Sequence, residues 1–263
     1  MHHLFLSPHF DDAVYSCGGT IANLTRAGEG VTALTICAGH PPANEISYFA
    51  ETLHERWGYK NHAAASQMVD IRRQEDETAL SIVGADGLYL DIPDCIYRRG
   101  GERNRWFYPR EEALFARLNG AEDALISNIA RSIIEIADAI SNNPNQIKIY
   151  APLSLGNHVD HQLVRYAAER AFGSETITYY QDYPYAQQRD QIITYESSAD
   201  WRSKTTYLSE NDIERKVQAV AAYKTQLSTF WESERDMEQA VREFLRGWGN
   251  GELFWRFTPR LFL

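Results

Sequence analysis

The sequence predicts an α/β protein with a Rossmann-like, mostly parallel sheet and helices on both faces. One observation is the segment Val31 to Cys37, which is apolar and rich in β-branched residues, as strands buried on both faces tend to be. A second is the order of elements before it, because Leu4 to Ser7 predicts a short strand and Gly18 to Ala27 predicts a helix. Strand, helix and strand in close succession indicate a parallel βαβ unit.

The rest of the chain extends this alternation of strands and helices. A helix is predicted from about Ala63 to Val83, ending at Gly84, and a strand from Gly87 to Ile92. The later predicted elements are a helix over 121–141 with a core-facing apolar stripe, a strand over 147–151, a helix from His158 to about 172, strands over 176–181 and 191–195, and a helix over 210–231. The aromatic segment 253–257 fits an edge strand, a cover for the core or a contact between subunits, and these alternatives stay open. The length and the 44% apolar content suit one domain over 1–263, with a smaller substrate-side subregion from about 176.

Two short stretches hold the residue types of a catalytic metal site. They are Pro8 to Asp12 and His158 to His161, and each pairs imidazole with carboxylate, the nitrogen and oxygen donors that bind zinc. A single His beside an Asp is more often a surface or capping residue. Each stretch, however, directly follows a predicted strand, and open α/β sheets bind ligands at the carboxyl ends of their strands. Two complementary motifs at such places therefore favour a metal site.

The cysteines do not suggest a structural zinc site or a disulfide framework. Cys17, Cys37 and Cys95 are odd in number and none is paired as CxxC, which fits a reducing cytoplasm, so we expect each to be a small buried apolar residue. The histidines of the irregular region are expected to be exposed to solvent rather than to bind metal: His40, His54 and His62.

Charge and hydropathy exclude several classes of partner. A formal charge of −10 disfavours nucleic acid, which draws most of its affinity for proteins from Lys and Arg. No apolar run approaches roughly 18 residues and no charged-then-apolar leader is present, so we expect no transmembrane segment and a cytoplasmic protein.

We expect the segment 93–120 to be a substrate-facing loop, and its basic residues to be solvated: Arg98, Arg99, Arg103 and Arg105.

Several motifs together resemble the LmbE/PIG-L superfamily of zinc-dependent N-acetylglucosaminyl deacetylases. Ser-Pro-His-Phe-Asp-Asp at 7–12 is similar to the family's PHxDD motif, and His-Val-Asp-His at 158–161 to its HxDH motif. Further matches are Arg72-x-x-Glu75, the segment 182–185 and the helix 216–226, so the resemblance spans about residues 4–230. It implies an LmbE-like deacetylase fold and removal of an acetyl group from an N-acetylated sugar conjugate or glycosylated metabolite.

Carried over to this sequence, the resemblance also implies a division of roles. Zinc is held by His9, Asp12 and His161, and Asp11 acts as general base. A protonated His158, oriented by Asp160, stabilises the oxyanion of the tetrahedral intermediate together with the metal. Arg72 and Asp94 match positions that contact substrate hydroxyls, although a surface ion pair explains either residue as well.

Some alternatives stay open at this point. A His₂-Asp site also accepts Fe²⁺ or another divalent ion. A related amidase would cleave a larger acyl amide, and an acetyl-sized cavity beside the metal would argue against it. A catalytically silent sugar-binding protein is disfavoured by the intact Asp11. Family resemblance also allows a homo-oligomer, for which the aromatic C-terminal segment is weak support.

Overall fold

The strands form one large sheet and a small ribbon. The computed structural model describes residues 1–42, 45–57, 62–187 and 190–259. In chain order the strands are β1 (His2–Ser7), β2 (Gly30–Thr35), β3 (Asp86–Tyr89), β4 (Arg99–Gly100), β5 (Arg105–Trp106), β6 (Ile147–Pro152), β7 (Thr178–Tyr180), β8 (Trp201–Tyr207) and β9 (Gly251–Phe257). The large sheet has the order β3-β2-β1-β6-β7-β9-β8, and β4 pairs with β5. Its first five strands are parallel and β9 runs antiparallel to both neighbours, which confirms the predicted mostly parallel sheet.

Helices cover both faces of the sheet. They are α1 (Asp12–Arg26), α2 (Tyr48–Arg56), α3 (His62–Val83), α4 (Glu111–Leu114), α5 (Asp123–Ile140), α6 (Val159–Phe172), α7 (Asp190–Glu196), α8 (Glu210–Val220), α9 (Lys224–Phe230) and α10 (Glu234–Arg246). On one face α1, α3 and α8 pack together, and on the other α5 packs on α6. Each face of the sheet has its own hydrophobic core, and successive residues of β1 point into different cores. Phe5 packs in the core with α1 and α8, whereas Leu4 and Leu6 pack in the core with α5 and α6. None of the helices described is long and apolar enough to cross a membrane.

The direction in which the chain adds strands reverses at β1. From β1 the chain builds outward through β2 and β3, and then returns to place β6 on the other side of β1. In open α/β sheets, ligands bind at such a switch point, in the crevice outside the carboxyl ends of the strands. Both sequence motifs start there, since one follows β1 and the other follows β6.

One predicted strand near the C-terminus is wrong, and a second differs in its place. Residues 191–195 form part of helix α7 rather than a strand, because short apolar runs do not by themselves distinguish the two. The aromatic segment 253–257 does form a strand, but this strand lies inside the sheet, between β7 and β8, instead of at its edge. The strand at this edge is β8, whose polar sequence gave no strand signal.

The predicted helix over 210–231 is two helices, and α3 explains the break between them. The Tyr223 hydroxyl donates a hydrogen bond to Asp76 Oδ1 at 2.7 Å. The backbone N–H and the hydroxyl of Thr225 donate to the two carboxylate oxygens of Glu75, at 2.9 and 2.7 Å. These contacts divert the chain from the helix, so a tertiary interaction overrides the local pattern.

Other burial predictions have mixed outcomes. The three cysteines are buried, as predicted. His40 is exposed and pairs with Asp70, but His54 is buried with a ring nitrogen 2.5 Å from the Tyr97 hydroxyl. The His62 side chain lies outside the described residues. Arg98 is also buried, at 6% exposure, so its predicted place in a solvated loop is wrong.

A buried ion pair joins the last strand to the helices above the sheet. Glu252 on β9 accepts hydrogen bonds from the backbone N–H groups of Gly19 and Thr20 and lies 2.6 Å from Lys216 Nζ on α8. Both charged side chains are no more than 2% exposed. Since a buried charge is costly without its partner, Glu252 depends on Lys216.

We expect Lys216→Met to destabilise the fold by about 3–5 kcal/mol, because it leaves the Glu252 charge buried without its counter-ion. Urea unfolding followed by circular dichroism measures the change. The matched control is Lys224→Met, which removes an exposed ion pair with Glu234 and should leave the unfolding midpoint almost unchanged. Equal midpoints for the two variants would contradict the role given to the buried pair.

Candidate functional site

The turn after β1 places the first motif at the mouth of the crevice. The Ser7 hydroxyl donates to the His9 carbonyl at 2.6 Å and accepts from the Ala13 N–H at 3.0 Å. This side chain therefore ties the end of the strand to the start of α1. Asp11 and Asp12 stand next to each other at the beginning of that helix, and both are buried.

His9, Asp12 and His161 meet around a single carboxylate oxygen. Asp12 Oδ2 accepts a hydrogen bond from the His9 backbone N–H at 2.8 Å and lies 3.1 Å from His9 Nδ1. The same oxygen is 3.4 Å from His161 Nε2. The structure thus brings together the three residues that the sequence predicts as metal ligands. Asp12 and His161 come from different motifs and are 149 positions apart in the chain.

His161 is oriented by a carboxylate that was not assigned a role from the sequence. Its Nδ1 lies 2.6 Å from Asp182 Oδ1, while Asp182 Oδ2 accepts from the Leu155 N–H at 2.9 Å. A carboxylate only accepts, so Nδ1 carries the proton of the neutral ring and Nε2 offers its lone pair. That Nε2 is buried and has no hydrogen-bond partner within the described ranges. An imidazole held by a carboxylate in this way is a common feature of metal ligands.

The electrostatic surroundings of His161 also suit a cation. Burial opposes protonation, but the nearby carboxylates of Asp12 and Asp182 outweigh it and raise the pKa of His161 to about 10. The negative charges that stabilise a proton there would equally stabilise a divalent metal ion. The buried lone pair, the mixed nitrogen and oxygen donors and this potential together fit a divalent metal.

Asp11 stands beside the predicted ligands without joining them. Its Oδ1 lies 3.6 Å from Arg72 Nη2, and both side chains line the main cavity. Burial raises the pKa of Asp11 above its usual value, with Arg72 opposing the shift. A carboxylate that is close to the metal ligands, faces the cavity and has a raised pKa is suited to accept and return a proton.

Asp160 has different partners from those expected. Its carboxylate is fully buried and contacts His9 Nε2 at 3.0 Å, the Cys95 N–H at 3.1 Å and the Arg98 guanidinium. Only the backbone N–H of Asp160 reaches His158, where it donates to Nδ1 at 3.3 Å. The expectation that the Asp160 carboxylate orients His158 is therefore wrong.

The expected charge on His158 also differs. Burial, followed by repulsion from His9, lowers the pKa of His158 to about 3, so the structure favours a neutral ring. Because Nδ1 accepts the Asp160 N–H, the proton of that neutral ring resides on Nε2. His158 therefore remains a hydrogen-bond donor.

The cavity above these residues has a volume of about 560 Å³. Asp94 and Arg72, the two predicted substrate-binding residues, both line it. Its walls carry an aromatic group that the sequence did not identify, in which Phe115 meets the rings of His158 and Tyr185 edge to face at 5.5 and 6.0 Å. The cavity is far larger than an acetyl group, so its size alone does not exclude larger acyl groups.

Gly156 allows Tyr185 to approach the motif. The glycine has a φ of +83°, and a Cβ there would lie 2.7 Å from the Tyr185 ring. Any other residue would both strain the backbone and displace the ring. Phe115 and Tyr185 thereby place aromatic rings beside His158 and His161 from other parts of the chain.

Comparison with known proteins gives a family match over more than half of the chain. The model of the PIG-L family, described as GlcNAc-PI de-N-acetylase, matches residues 4–172. The chain belongs to this family. As a PIG-L member it has the predicted α/β fold and is a metal-dependent N-deacetylase, and the resemblance inferred from the motifs is confirmed.

Individual relatives of this PIG-L member are deacetylases too. It is 29% identical to a 2'-N-acetylparomamine deacetylase of Niallia circulans over 96% of this chain and 89% of the relative. It is 27% identical to a protein of the same name from Streptomyces fradiae, over 92% and 76% of the two chains. The zinc-inhibited form of a teicoplanin deacetylase superposes with a TM-score of 0.78 at 25% identity, over 97% of each chain.

We expect Asp182→Asn to weaken metal binding by about 10–100-fold, because an amide no longer fixes the His161 tautomer as a carboxylate does. A competition titration of Zn²⁺ against a chromophoric chelator measures the dissociation constant. The control Asp138→Asn changes an exposed residue on α5 and should bind zinc as the wild type does. Unchanged zinc affinity in Asp182→Asn would show that Asp182 does not support the ligand.

Proposed function

We propose that this protein is a zinc-dependent hydrolase that removes the acetyl group from an N-acetylated amino sugar within a sugar conjugate or glycosylated metabolite. The observation that carries the proposal is the arrangement of Asp11 beside His9, Asp12 and His161 in one cavity at the switch point of the sheet. The names of the relatives, which refer to deacetylation of 2'-N-acetylparomamine and of teicoplanin, support this substrate class.

His9, Asp12 and His161 would hold the metal, and their imidazole and carboxylate donors suit zinc, with Fe²⁺ as an alternative. When bound, zinc polarises a carbonyl group and lowers the pKa of water. Zinc in the solved teicoplanin deacetylase supports this choice of metal, although it is described there as an inhibitor.

Asp11 would move the proton in the reaction. It accepts a proton from the attacking water as the water oxygen bonds to the acetyl carbon. When the C–N bond breaks, Asp11 returns that proton to the leaving nitrogen. The products are acetate and a free amino sugar. Arg72, 3.6 Å from Asp11, would keep the carboxylate facing the cavity.

His158 would donate a hydrogen bond to the developing oxyanion. The backbone N–H of Asp160 occupies Nδ1, so the neutral ring presents its Nε2–H. A neutral donor held in place before the reaction stabilises developing charge without first having to be protonated. We thus replace the protonated His158 of the family-based hypothesis with a neutral one.

Two polar side chains and one aromatic side chain in the cavity would recognise the sugar. Arg72 and Asp94 offer a donor and an acceptor for hydroxyl groups. Phe115, 41% exposed, offers a ring edge and face for the apolar side of a sugar ring or for the group attached to it. The remaining volume accommodates part of the conjugate beyond the sugar.

The direct test is a screen of the zinc-loaded protein for acetate release. The panel contains N-acetylglucosaminides with neutral, cationic and aromatic aglycones, together with matched N-butanoyl and N-octanoyl glucosaminides. Acetate release from at least one N-acetyl substrate supports the proposal. Turnover of the longer acyl amides alone would instead favour the larger-acyl amidase, and zinc-dependent sugar binding without turnover would favour a binding protein.

We expect Asp11→Asn to lower kcat by about 10²–10⁴-fold while zinc remains bound, because the amide cannot accept the proton from water. His161→Ala should instead lose zinc. Steady-state kinetics and metal analysis of both variants separate the two roles, with Asp138→Asn as the control. Wild-type kcat in zinc-loaded Asp11→Asn would contradict the assignment of the base.

We expect Phe115→Ala to raise KM by roughly three- to tenfold with a smaller change in kcat, since an aromatic contact is worth about 0.5–1.5 kcal/mol. Tyr48→Ala is a control, because Tyr48 is an exposed aromatic residue, 81% accessible, away from the described cavity lining. If both variants have the wild-type KM, Phe115 does not contact the substrate.

A further inference from the structure

Arg98 is a buried cation held between two buried carboxylates. Its Nε donates to Glu122 Oε1 at 2.5 Å, and its Nη1 donates to Asp160 Oδ1. Arg98 is 6% exposed, Glu122 2% and Asp160 0%. Glu122 is held in turn by the Tyr108 hydroxyl, and the Arg98 guanidinium lies 5.6 Å from the centre of the Tyr108 ring. Arg98 is not among the described residues that line the cavity, so we expect it to act without contacting substrate.

The two carboxylate oxygens of Asp160 have different hydrogen-bond partners. Oδ1 is occupied by Arg98, whereas Oδ2 accepts from the Cys95 N–H and faces His9 Nε2 at 3.0 Å. Since the carboxylate only accepts, the proton of a neutral His9 resides on Nε2. The other nitrogen, Nδ1, is then the one that faces Asp12, at 3.1 Å.

We propose that Arg98 is a positioning residue that fixes the Asp160 carboxylate, so that Asp160 holds His9 with its Nδ1 lone pair directed to the metal. The inference rests on the metal centre proposed above and adds a residue to its support. Arg98 acts only through Asp160 and His9. Without Arg98, Oδ1 has no charged partner and the carboxylate is free to rotate away from His9.

The shape of the guanidinium suits this task. Its planar fork reaches Glu122 through Nε and Asp160 through Nη1, which a lysine ammonium on a flexible stem does not reproduce. Loss of Arg98 leaves the buried carboxylates of Glu122 and Asp160 without their counter-ion, so Arg98→Met should also destabilise the fold. Zinc affinity is therefore compared among folded proteins, and Arg98→Lys, which keeps the positive charge but not the planar fork, separates the effect on metal binding from the effect on folding.

The test measures the Zn²⁺ dissociation constant of Arg98→Met, Arg98→Lys and the wild type by chelator competition, with circular dichroism to verify folding. We expect Arg98→Met to raise the dissociation constant about 10–100-fold, as loss of an outer partner of a metal ligand typically does. Arg98→Lys should show a smaller rise. KM at saturating zinc should stay at the wild-type value in both variants.

Arg165→Met is the matched control. Arg165 lies on α6, the helix that carries His161, and it contacts Glu169 at 2.9 Å and the Leu153 carbonyl at 2.8 Å. Its loss removes a partly buried arginine from the same region without changing a contact to Asp160 or His9. Zinc affinity should be unchanged in this variant even if the fold is less stable.

A folded Arg98→Met protein with wild-type zinc affinity would overturn the proposal, and so would an equal loss in Arg165→Met. If Arg98→Met does not fold, a wild-type zinc affinity in Arg98→Lys would overturn the proposal. His161→Ala separates this outcome from failure of the metal centre itself. Zinc affinity that survives in His161→Ala would refute the centre, whereas loss there with no effect at Arg98 would refute only the role of Arg98.

Discussion

Strands β1 and β6 lie side by side and in parallel, and the arrangement of the proposed metal centre depends on that pairing. Their register runs from His2 opposite Ile147 to Phe5 opposite Tyr150, so both strands end at the same edge of the sheet. The segments that leave this edge carry the two motifs and start helices α1 and α6. Because the chain reverses its direction of strand addition here, the two helices leave a crevice between them. Residues distant in sequence thereby share one cavity.

A dense group of buried carboxylates dominates the electrostatics of this cavity. Desolvation makes each negative charge costly, so each requires a compensating partner. Asp182 holds His161 and Asp160 holds His9, which leaves one nitrogen of each imidazole directed to Asp12. Arg72 offsets part of the remaining charge at Asp11, and Arg98 offsets part of it at Asp160. A divalent cation between the imidazoles and Asp12 would complete this balance, and one set of interactions would then govern both metal binding and the acid–base properties of Asp11.

The sequence predicts the two motifs well because their residues are local and their spacing is fixed by a turn and by a helix. It predicts the supporting residues poorly because they come from elsewhere: Asp182 is 21 positions from His161, and Arg98 is 62 positions from Asp160. An arginine in a Gly-rich, charged segment also has the local pattern of a solvated loop. The Asp160 carboxylate contacts His9 instead of the neighbouring His158, because adjacent positions in a motif do not determine where a side chain points. Local pattern likewise failed at α7, where a short apolar run fits a helix or a strand.

The most direct test of the account is a crystal structure of the zinc-loaded protein with anomalous data collected at the zinc absorption edge. If His9, Asp12 and His161 hold the metal, the map contains one strong peak at about 2.0–2.2 Å from His9 Nδ1, His161 Nε2 and an oxygen of Asp12. Three other groups of described residues are also close enough together to bind a metal: His9 with His158 and His161, Cys95 with His158 and Asp160, and His9 with Asp94 and Asp160. A peak bound by any of these sets without Asp12, or by His9 through Nε2, would contradict the proposed centre.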